Sequence, residues 1–266
     1  MSETNHVIVI GAGAAGMLAA IAAAREGAAV ELWEQNEKPG KKLFITGKGR
    51  CNVTNACDME ELLGSVVSNS KFLYSSFYGF TNQDMMDLLE QAGLRLKVER
   101  GNRVFPQSDK SSDVISALSA LLRQAGVRVC LNQKAEGLAV EEGVCKGVRC
   151  GGRIQTADRV IVATGGLSYP TTGSTGDGLK WAADSGHRLT ELSPALVPIE
   201  VKETETVKEL QGLSLKNIEA AVYDGKKELY REFGEMLFTH FGVSGPVLLS
   251  ASSFCASLRS LATYRP

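Results

Sequence analysis

The 266-residue chain has no C-x-x-C pair among its six cysteines, Cys51, Cys57, Cys130, Cys145, Cys150 and Cys255. It has only three histidines, and they are dispersed. The common zinc spacings are therefore excluded, and reduced structural thiols are expected. No charge of one sign dominates. The 29 Lys and Arg stand against 30 Asp and Glu, a formal net charge of −1. A global basic field for nucleic acid or anionic membrane is missing, so a small-molecule partner is expected rather than either of those. The apolar run from Ala14 to Ala24 is too short to span a bilayer and is broken by Arg25 and Glu26. No basic segment leads into an apolar one ahead of the first strand, and a soluble, cytoplasmic protein is expected. Internal repeats and low-complexity segments are also missing. What is present is an ordinary apolar fraction of 44% and enough length for a large core in one or two domains.

The most informative stretch is His6 to Glu34. His6 to Ile10 is a short β-branched run suited to a strand buried on both faces. Gly11, Gly13 and Gly16 follow at G-x-G-x-x-G spacing. Ala14 to Arg25 is a run of good helix formers with almost no wet face, and Gly27 ends it. Ala29 to Trp33 is a second strand, closed by Glu34. Gly11 permits the tight turn, Gly13 lets a pyrophosphate approach the backbone, and Gly16 lets the helix pack on the sheet. The helix N-terminus turns free N–H groups and a positive dipole end toward the phosphates. Glu34 is at the distance expected of an acid that binds a ribose hydroxyl, which argues for FAD or NAD rather than NADP.

Residues 35–55 form a glycine-rich basic loop, Q-N-E-K-P-G-K-K-L-F-I-T-G-K-G-R-C-N-V-T-N, fit to cradle an anion. Phe44 and Ile45 are expected to anchor it. Helices are expected at Met59–Val67, at Lys71–Phe77 with a cap at Asn69 or Ser70, and at Asp84–Gln91 with Thr81 and Asp84 at capping-box spacing. A strand over residues 94–100 turns at Gly101-Asn102 into Val104-Phe105-Pro106. A helix over Asp113–Gln124, capped by Ser111 or Ser112, precedes a strand at Val127–Leu131. Three short strands, near 135–140, 144–149 and 154–157, form a β-meander. It leads into Val160-Ile161-Val162-Ala163 and then Thr164-Gly165-Gly166. A βαβ unit followed by such a meander favours FAD, because the crossover in NAD-only domains is more often helical. A turn-rich segment at 168–178 precedes a helix at Leu179–Ser185. From Pro194 the pattern is β-like, at 197–201, 218–223, 228–230 and 234–238, before a small-residue helix from Leu248. The fold class is α/β: an FAD-binding Rossmann-type domain, parallel sheet plus β-meander, over 1–190, with the start of an inserted β-rich substrate subdomain over 191–266.

These segments resemble the BaiN-like NAD(P)/FAD-dependent oxidoreductases, also known as aminoacetone oxidase family FAD-binding enzymes. The resemblance is carried by G-A-G-A-A-G at 11–16, K-K-L-F-I-T-G-K-G-R-C-N-V-T-N at 41–55 and V-F-P-Q-S at 104–108. It continues through V-I-V-A-T-G-G-L-S-Y-P-T-T-G-S-T-G-D-G at 160–178, P-A-L-V-P at 194–198 and G-E-M-L-F-T-H-F-G-V-S-G-P at 234–246. A more distant similarity is to fumarate reductase-type flavoproteins, which share the A-T-G-G and T-G-D-G pair. The resemblance implies FAD as cofactor and NAD(P)H as electron donor. It implies that Gly11, Gly13 and Gly16 hold the pyrophosphate and Glu34 the adenosine ribose, with Ala14, Ala15 and Gln35 also at the cofactor. Lys42, Gly47, Gly49, Arg50, Cys51 and Asn52 would line the path from pyrophosphate to ribityl chain. Ala135 would meet the adenine. Thr164 and Gly165 would pass close to the dinucleotide, and Asp177 would contact it. The segment Arg259–Pro266 departs from the family, whose members continue further and return to the first domain with a glycine-rich segment over the flavin. On that comparison the second domain is expected to be incomplete and the cofactor pocket uncovered at its flavin end.

The implied activity is hydride transfer between NAD(P)H, flavin and a small organic substrate, either reduction of an enone C=C as in bile-acid intermediates or oxidation of a small amine. A nucleotide-binding fragment without turnover is the alternative from another class. A nucleic-acid-modifying flavoprotein is weighed against by the neutral charge. No catalytic residue is assigned. Cys51, His240 and Tyr169 are candidates by position, but each reads more simply as a packing or structural residue.

Overall fold

The computed structural model describes residues 4–255, which fall into two compact units: 4–65 with 70–189, and 66–69 with 190–255. The expected departure at Arg259–Pro266 lies outside the described residues.

The first unit opens with β1 (His6–Ile10), α1 (Ala14–Arg25) and β2 (Ala29–Trp33). Then come α2 (Lys41–Ile45), β3 (Thr54–Asn55), α3 (Met59–Gly64), α4 (Tyr74–Gly79), α5 (Asn82–Gln91), β4 (Leu96–Glu99) and β5 (Arg103–Pro106). It continues with α6 (Ser111–Gln124), β6 (Arg128–Cys130), β7 (Gly137–Glu141), β8 (Val144–Cys150), β9 (Arg153–Thr156), β10 (Arg159–Val162) and α7 (Asp177–Asp184). The central sheet has the order β10-β1-β2-β6 and is parallel throughout. Both faces of β1 are covered, which is why Val7 to Ile10 read as a continuous apolar run. On one face, Met17, Ala20 and Ile21 of α1 and Val114, Leu118, Leu121 and Leu122 of α6 pack with Val7, Val9, Val30 and Leu32. On the other, Ile8, Ile10 and Trp33 pack with Val148 of the antiparallel β7-β8-β9 meander and with Trp181 of α7.

The second unit holds β11 (Ile199–Glu200), α8 (Thr204–Glu209), β12 (Ser214–Asp224), β13 (Lys227–Phe238), β14 (Gly242–Ser244) and α9 (Pro246–Cys255). Its sheet has the order β11-β14-β13-β12, and α9 packs on β13.

Several local expectations are corrected. Residues 41–49 are not an open loop but a short helix and a 3-10 turn. Phe44 and Ile45 do not anchor it: they are 51% and 44% exposed. Leu43, on the inner side of this single turn, packs against the core instead. Ser111 Oγ donates to the Phe44 carbonyl at 2.8 Å, so Ser111 ties α6 to α2 rather than capping its own helix. The helix expected to Val67 ends at Gly64. The one expected over 71–77 is a 3-10 turn followed by α4, whose N-cap Leu73 makes no side-chain capping bond. The pieces at 228–230 and 234–238 are one strand, and α8 had no counterpart in the sequence reading. The Thr81–Asp84 capping box is present as expected.

Candidate functional site

A cavity of about 350 Å3 opens at the carboxyl ends of β1, β2 and β10, a size usual for a ligand site and the usual place for one in an open α/β sheet. Its first wall is the turn from Gly11 to Ala15. Gly11 has φ +100, and a Cβ there would lie 2.6 Å from the Ala163 carbonyl. Gly16 is not in the lining; a Cβ there would lie 1.8 Å from the Gly11 carbonyl, so it serves the strand–helix contact. Gly13 is different. Its φ is −79 and no atom stands within 4 Å of a Cβ built on it. Neither backbone conformation nor protein packing requires a glycine at 13, and the space it leaves belongs to the cavity. The first amides of α1 have no acceptor within the helix and bring its positive end to the same place.

Glu34 forms the second wall and is 8% exposed. Its Oε2 accepts from Ala12 N at 2.9 Å, and its Oε1 accepts from Asn36 N at 2.9 Å and Asn36 Nδ2 at 2.7 Å. The third wall is α2 and the residue after it, with Lys41, Lys42, Leu43 and Thr46. Lys42 Nζ donates to Ser168 O at 2.7 Å and Ser174 Oγ at 2.6 Å. Burial pushes its pKa down. Among the described residues it makes no ion pair. The fourth wall is the segment from Ala163 to Asp177, latched to β2's exit by Gln35 Nε2 donating to Gly173 O at 3.0 Å. Thr164 Oγ1 accepts from Gly178 N at 3.2 Å, and Asp177 is the first residue of α7. Trp33, Gln133, Lys134, Ala135 and Trp181 close one end.

Of the residues singled out in the sequence, Gly11, Gly13, Ala14, Ala15, Glu34, Gln35, Lys42, Ala135, Thr164, Gly165 and Asp177 line this one cavity. Gly47, Gly49, Arg50, Cys51 and Asn52 do not. The Arg50 guanidinium lies 2.5 Å from Glu99 Oε1 and 2.6 Å from Asp109 Oδ1, over the Phe105 ring. Its charge is answered within the protein. Cys51 is 2% exposed, and burial pushes its thiol up, away from thiolate chemistry. Asn52, with its amide nitrogen turned to them, donates to Thr54 O and Val104 O. Tyr169 is exposed and left-handed at φ +51, and its carbonyl accepts from Thr172 N and Oγ1. His240 stands edge-on to Phe241 in the second unit. Thr172, Gly173 and Ser174 also line the cavity; the sequence marks them only as part of a turn-rich segment, and no motif marks Asn36.

Fold and site define a Rossmann-type protein with a cavity at the carboxyl ends of its parallel strands. The chain belongs to the family described as HI0933-like protein Rossmann domain, whose profile matches residues 5–253. It is 36% identical over 247 residues to a 3-dehydro-bile acid delta(4,6)-reductase of Clostridium scindens, covering 91% of this chain and 58% of that one. It is 30% identical over 252 residues to a ribosomal RNA dihydrouridine synthase of Escherichia coli, covering 95% of this chain and 61% of that one. The chain thus spans roughly three-fifths of the length of these relatives. The fold is similar to an open conformation of a flavocytochrome c3 fumarate reductase, with TM-score 0.54 and 23% identity over 81% of this chain and 47% of that one. It is also similar to a 3-ketosteroid-delta4-(5alpha)-dehydrogenase of Rhodococcus jostii, with TM-score 0.52 and 15% identity over 81% of this chain and 61% of that one. Among the described residues no helix is long and apolar enough to cross a membrane, and no cluster of three or more metal-ligating side chains occurs.

Proposed function

We propose that the first unit binds FAD in this cavity and belongs to an oxidoreductase that saturates a C=C bond conjugated to a carbonyl, with NAD(P)H as electron donor. The observation that carries the reading is Gly13. A glycine with an ordinary backbone and nothing near its missing side chain, at the positive end of α1, leaves room for a phosphate where the helix favours one.

The other walls fit the same group. Glu34 offers a fixed carboxylate to a ribose hydroxyl, with Gln35 beside it. Lys42 is a partly buried cation that makes no ion pair among the described residues. Ala135 and the two tryptophans give the apolar end that an adenine requires. When bound, FAD would supply the hydride carrier between NAD(P)H and the substrate. The chain's own part is to hold the pyrophosphate at Gly11–Ala15 and Lys42, fix the ribose at Glu34, and exclude water with the Ala163–Asp177 wall. The second unit is proposed as the substrate side.

The names of the two relatives support the reaction class, because they describe related chemistry. A Δ4,6 bond of a 3-oxo bile acid is conjugated to its carbonyl. Dihydrouridine is uridine with its C5=C6 bond, conjugated to C4=O, saturated. A small enone is the substrate favoured by the relative with 36% identity, and an RNA uridine is the second reading, supported by the one with 30%. The test is FAD titration of the purified protein by flavin fluorescence, followed by anaerobic reduction with NADH or NADPH. Reoxidation is then compared with a steroidal dienone, a uridine-containing RNA, a small amine's imine and oxygen. Failure to retain FAD overturns the reading of the cavity. Reoxidation by oxygen alone overturns the reductase reading.

A further inference from the structure

Asn36 is not in the cavity lining, yet three walls converge on it. Its Nδ2 donates to Glu34 Oε1 at 2.7 Å and to Thr172 O at 3.2 Å. Its Oδ1 accepts from Lys41 Nζ at 3.1 Å. Its backbone N–H donates to the same Glu34 oxygen at 2.9 Å, and its carbonyl accepts from Asn132 N at 3.1 Å. Every polar atom of the residue is engaged with a partner of the right polarity. The amide can stand only one way round: reversing it would set Oδ1 against the Glu34 carboxylate and the Thr172 carbonyl, and Nδ2 against the Lys41 ammonium.

The arrangement has a consequence for Glu34. That carboxylate is buried, and among the described residues it has no cation in contact and accepts hydrogen bonds only from Ala12 N and from Asn36. The Lys41 ammonium donates to Asn36 Oδ1 rather than to the acid itself, and it also pairs with Glu37 at 3.7 Å. Asn36 also carries the Thr172 carbonyl, in the Ala163–Asp177 wall. The Asn36 side chain thus ties the acid directly to the 172–173 wall, beside the backbone N–H groups of Ala12 and Asn36 on Glu34 and the Gln35 bond to Gly173 O.

We propose that Asn36 is a positioning residue for cofactor selection: it aims Glu34 at the adenosine ribose and locks the 172–173 wall against it. The inference rests on the reading of the cavity as an FAD site. Its signature is the discrimination between FAD and FAD made with 2′-deoxyadenosine, measured as a ratio of dissociation constants. A charged hydrogen bond to the missing hydroxyl sets that ratio near tenfold or above in the wild type. Asn36→Ala is expected to reduce it to about twofold, as Glu34→Ala does, and the double variant to add nothing further. A residue needed only for folding would weaken both ligands equally and leave the ratio intact.

Lys41→Met is a gentler variant that keeps the amide but removes the cation on Oδ1, and it should lower the ratio by about twofold. A wild-type ratio in both Asn36→Ala and Lys41→Met overturns the proposal. So does a ratio unchanged in Glu34→Ala, since there would be no acid to aim. If the wild type binds neither flavin, the reading of the cavity fails instead, and the two failures are distinguishable.

Discussion

Gly16 stands so close to Gly11 that a Cβ on the first would lie 1.8 Å from the carbonyl oxygen of the second, with Ala163 Cβ at 3.3 Å behind it. The obstacle is backbone, in the turn that forms one wall of the cavity. It cannot give way as a flexible side chain would. Gly16→Ala should therefore destabilise the fold by about 3 kcal/mol or more, at the upper end of overpacking effects. A urea midpoint within experimental error of the wild type would disprove it.

Gly13→Ala should do the opposite. With φ −79 and open space around the new Cβ, the fold loses only the modest preference of an N-cap for glycine over alanine, under about 1 kcal/mol. The methyl group would project into the cavity, and FAD affinity should fall about tenfold or more, ~1.4 kcal/mol. Thermal melts with and without FAD check both halves. The ligand-induced shift should shrink while the apo midpoint holds.

The contrast between these two glycines shows how far the sequence could be read. The G-x-G-x-x-G spacing has one physical explanation for each position, so strand, turn, helix and Glu34 were legible together. The meander was equally legible, because its turns at Glu142-Gly143 and Gly151-Gly152 carry left-handed residues between short β-like runs. Residues 41–52 were not. Their glycines and lysines look alike whether they cradle a ligand or turn away from it, and only the tertiary partners decide. Arg50 belongs to Glu99 and Asp109, which are distant in sequence. Asn36 was invisible for the same reason: its importance lies in hydrogen bonds to Thr172 and Lys41, not in a pattern.

The Arg50 cluster makes a prediction about acid. Hydrogen bonds from Arg50 hold the Glu99 carboxyl below its ordinary range, and hydrogen bonds from Lys97 and then Arg50 do the same for Asp109. A carboxylate with a depressed folded pKa contributes stability that is complete above its unfolded value and is lost as pH falls through the folded one. The contribution should be full at neutral pH and decline from about pH 4.5 downward. The Glu99→Gln, Asp109→Asn pair should flatten that part of the curve of urea midpoint against pH. An unchanged acid slope would remove the cluster from the stability of the fold.

Cys51 sits beside the cluster but should take no part in redox chemistry. It is 2% exposed, and burial raises its thiol pKa. In native protein at about pH 8, iodoacetamide should leave it unmodified, while the denatured chain reacts at all six cysteines. Peptide mapping by mass spectrometry reads this directly. Rapid native labelling of Cys51 would reopen its reading as a reactive thiol.

Lys42 gives the sharpest test of the phosphate end. Burial alone lowers its pKa, since its partners Ser168 O and Ser174 Oγ are neutral. A diphosphate placed beside it would favour the ammonium form, so FAD binding should take up a proton wherever Lys42 is neutral beforehand. The sign follows: affinity is full while the free protein keeps Lys42 charged, and weakens as pH rises through its lowered pKa. The weakening should thus begin below the pH of about 10.4 at which an ordinary lysine loses its proton. Lys42→Met should bind FAD about ten- to a hundredfold more weakly at neutral pH, as expected for loss of a charged phosphate contact, and should lose the alkaline dependence as well. FAD titrations at several pH values in both proteins separate the two effects. A lysine that merely props the Ser168–Ser174 wall would produce the weaker binding, but the alkaline dependence would persist in the variant.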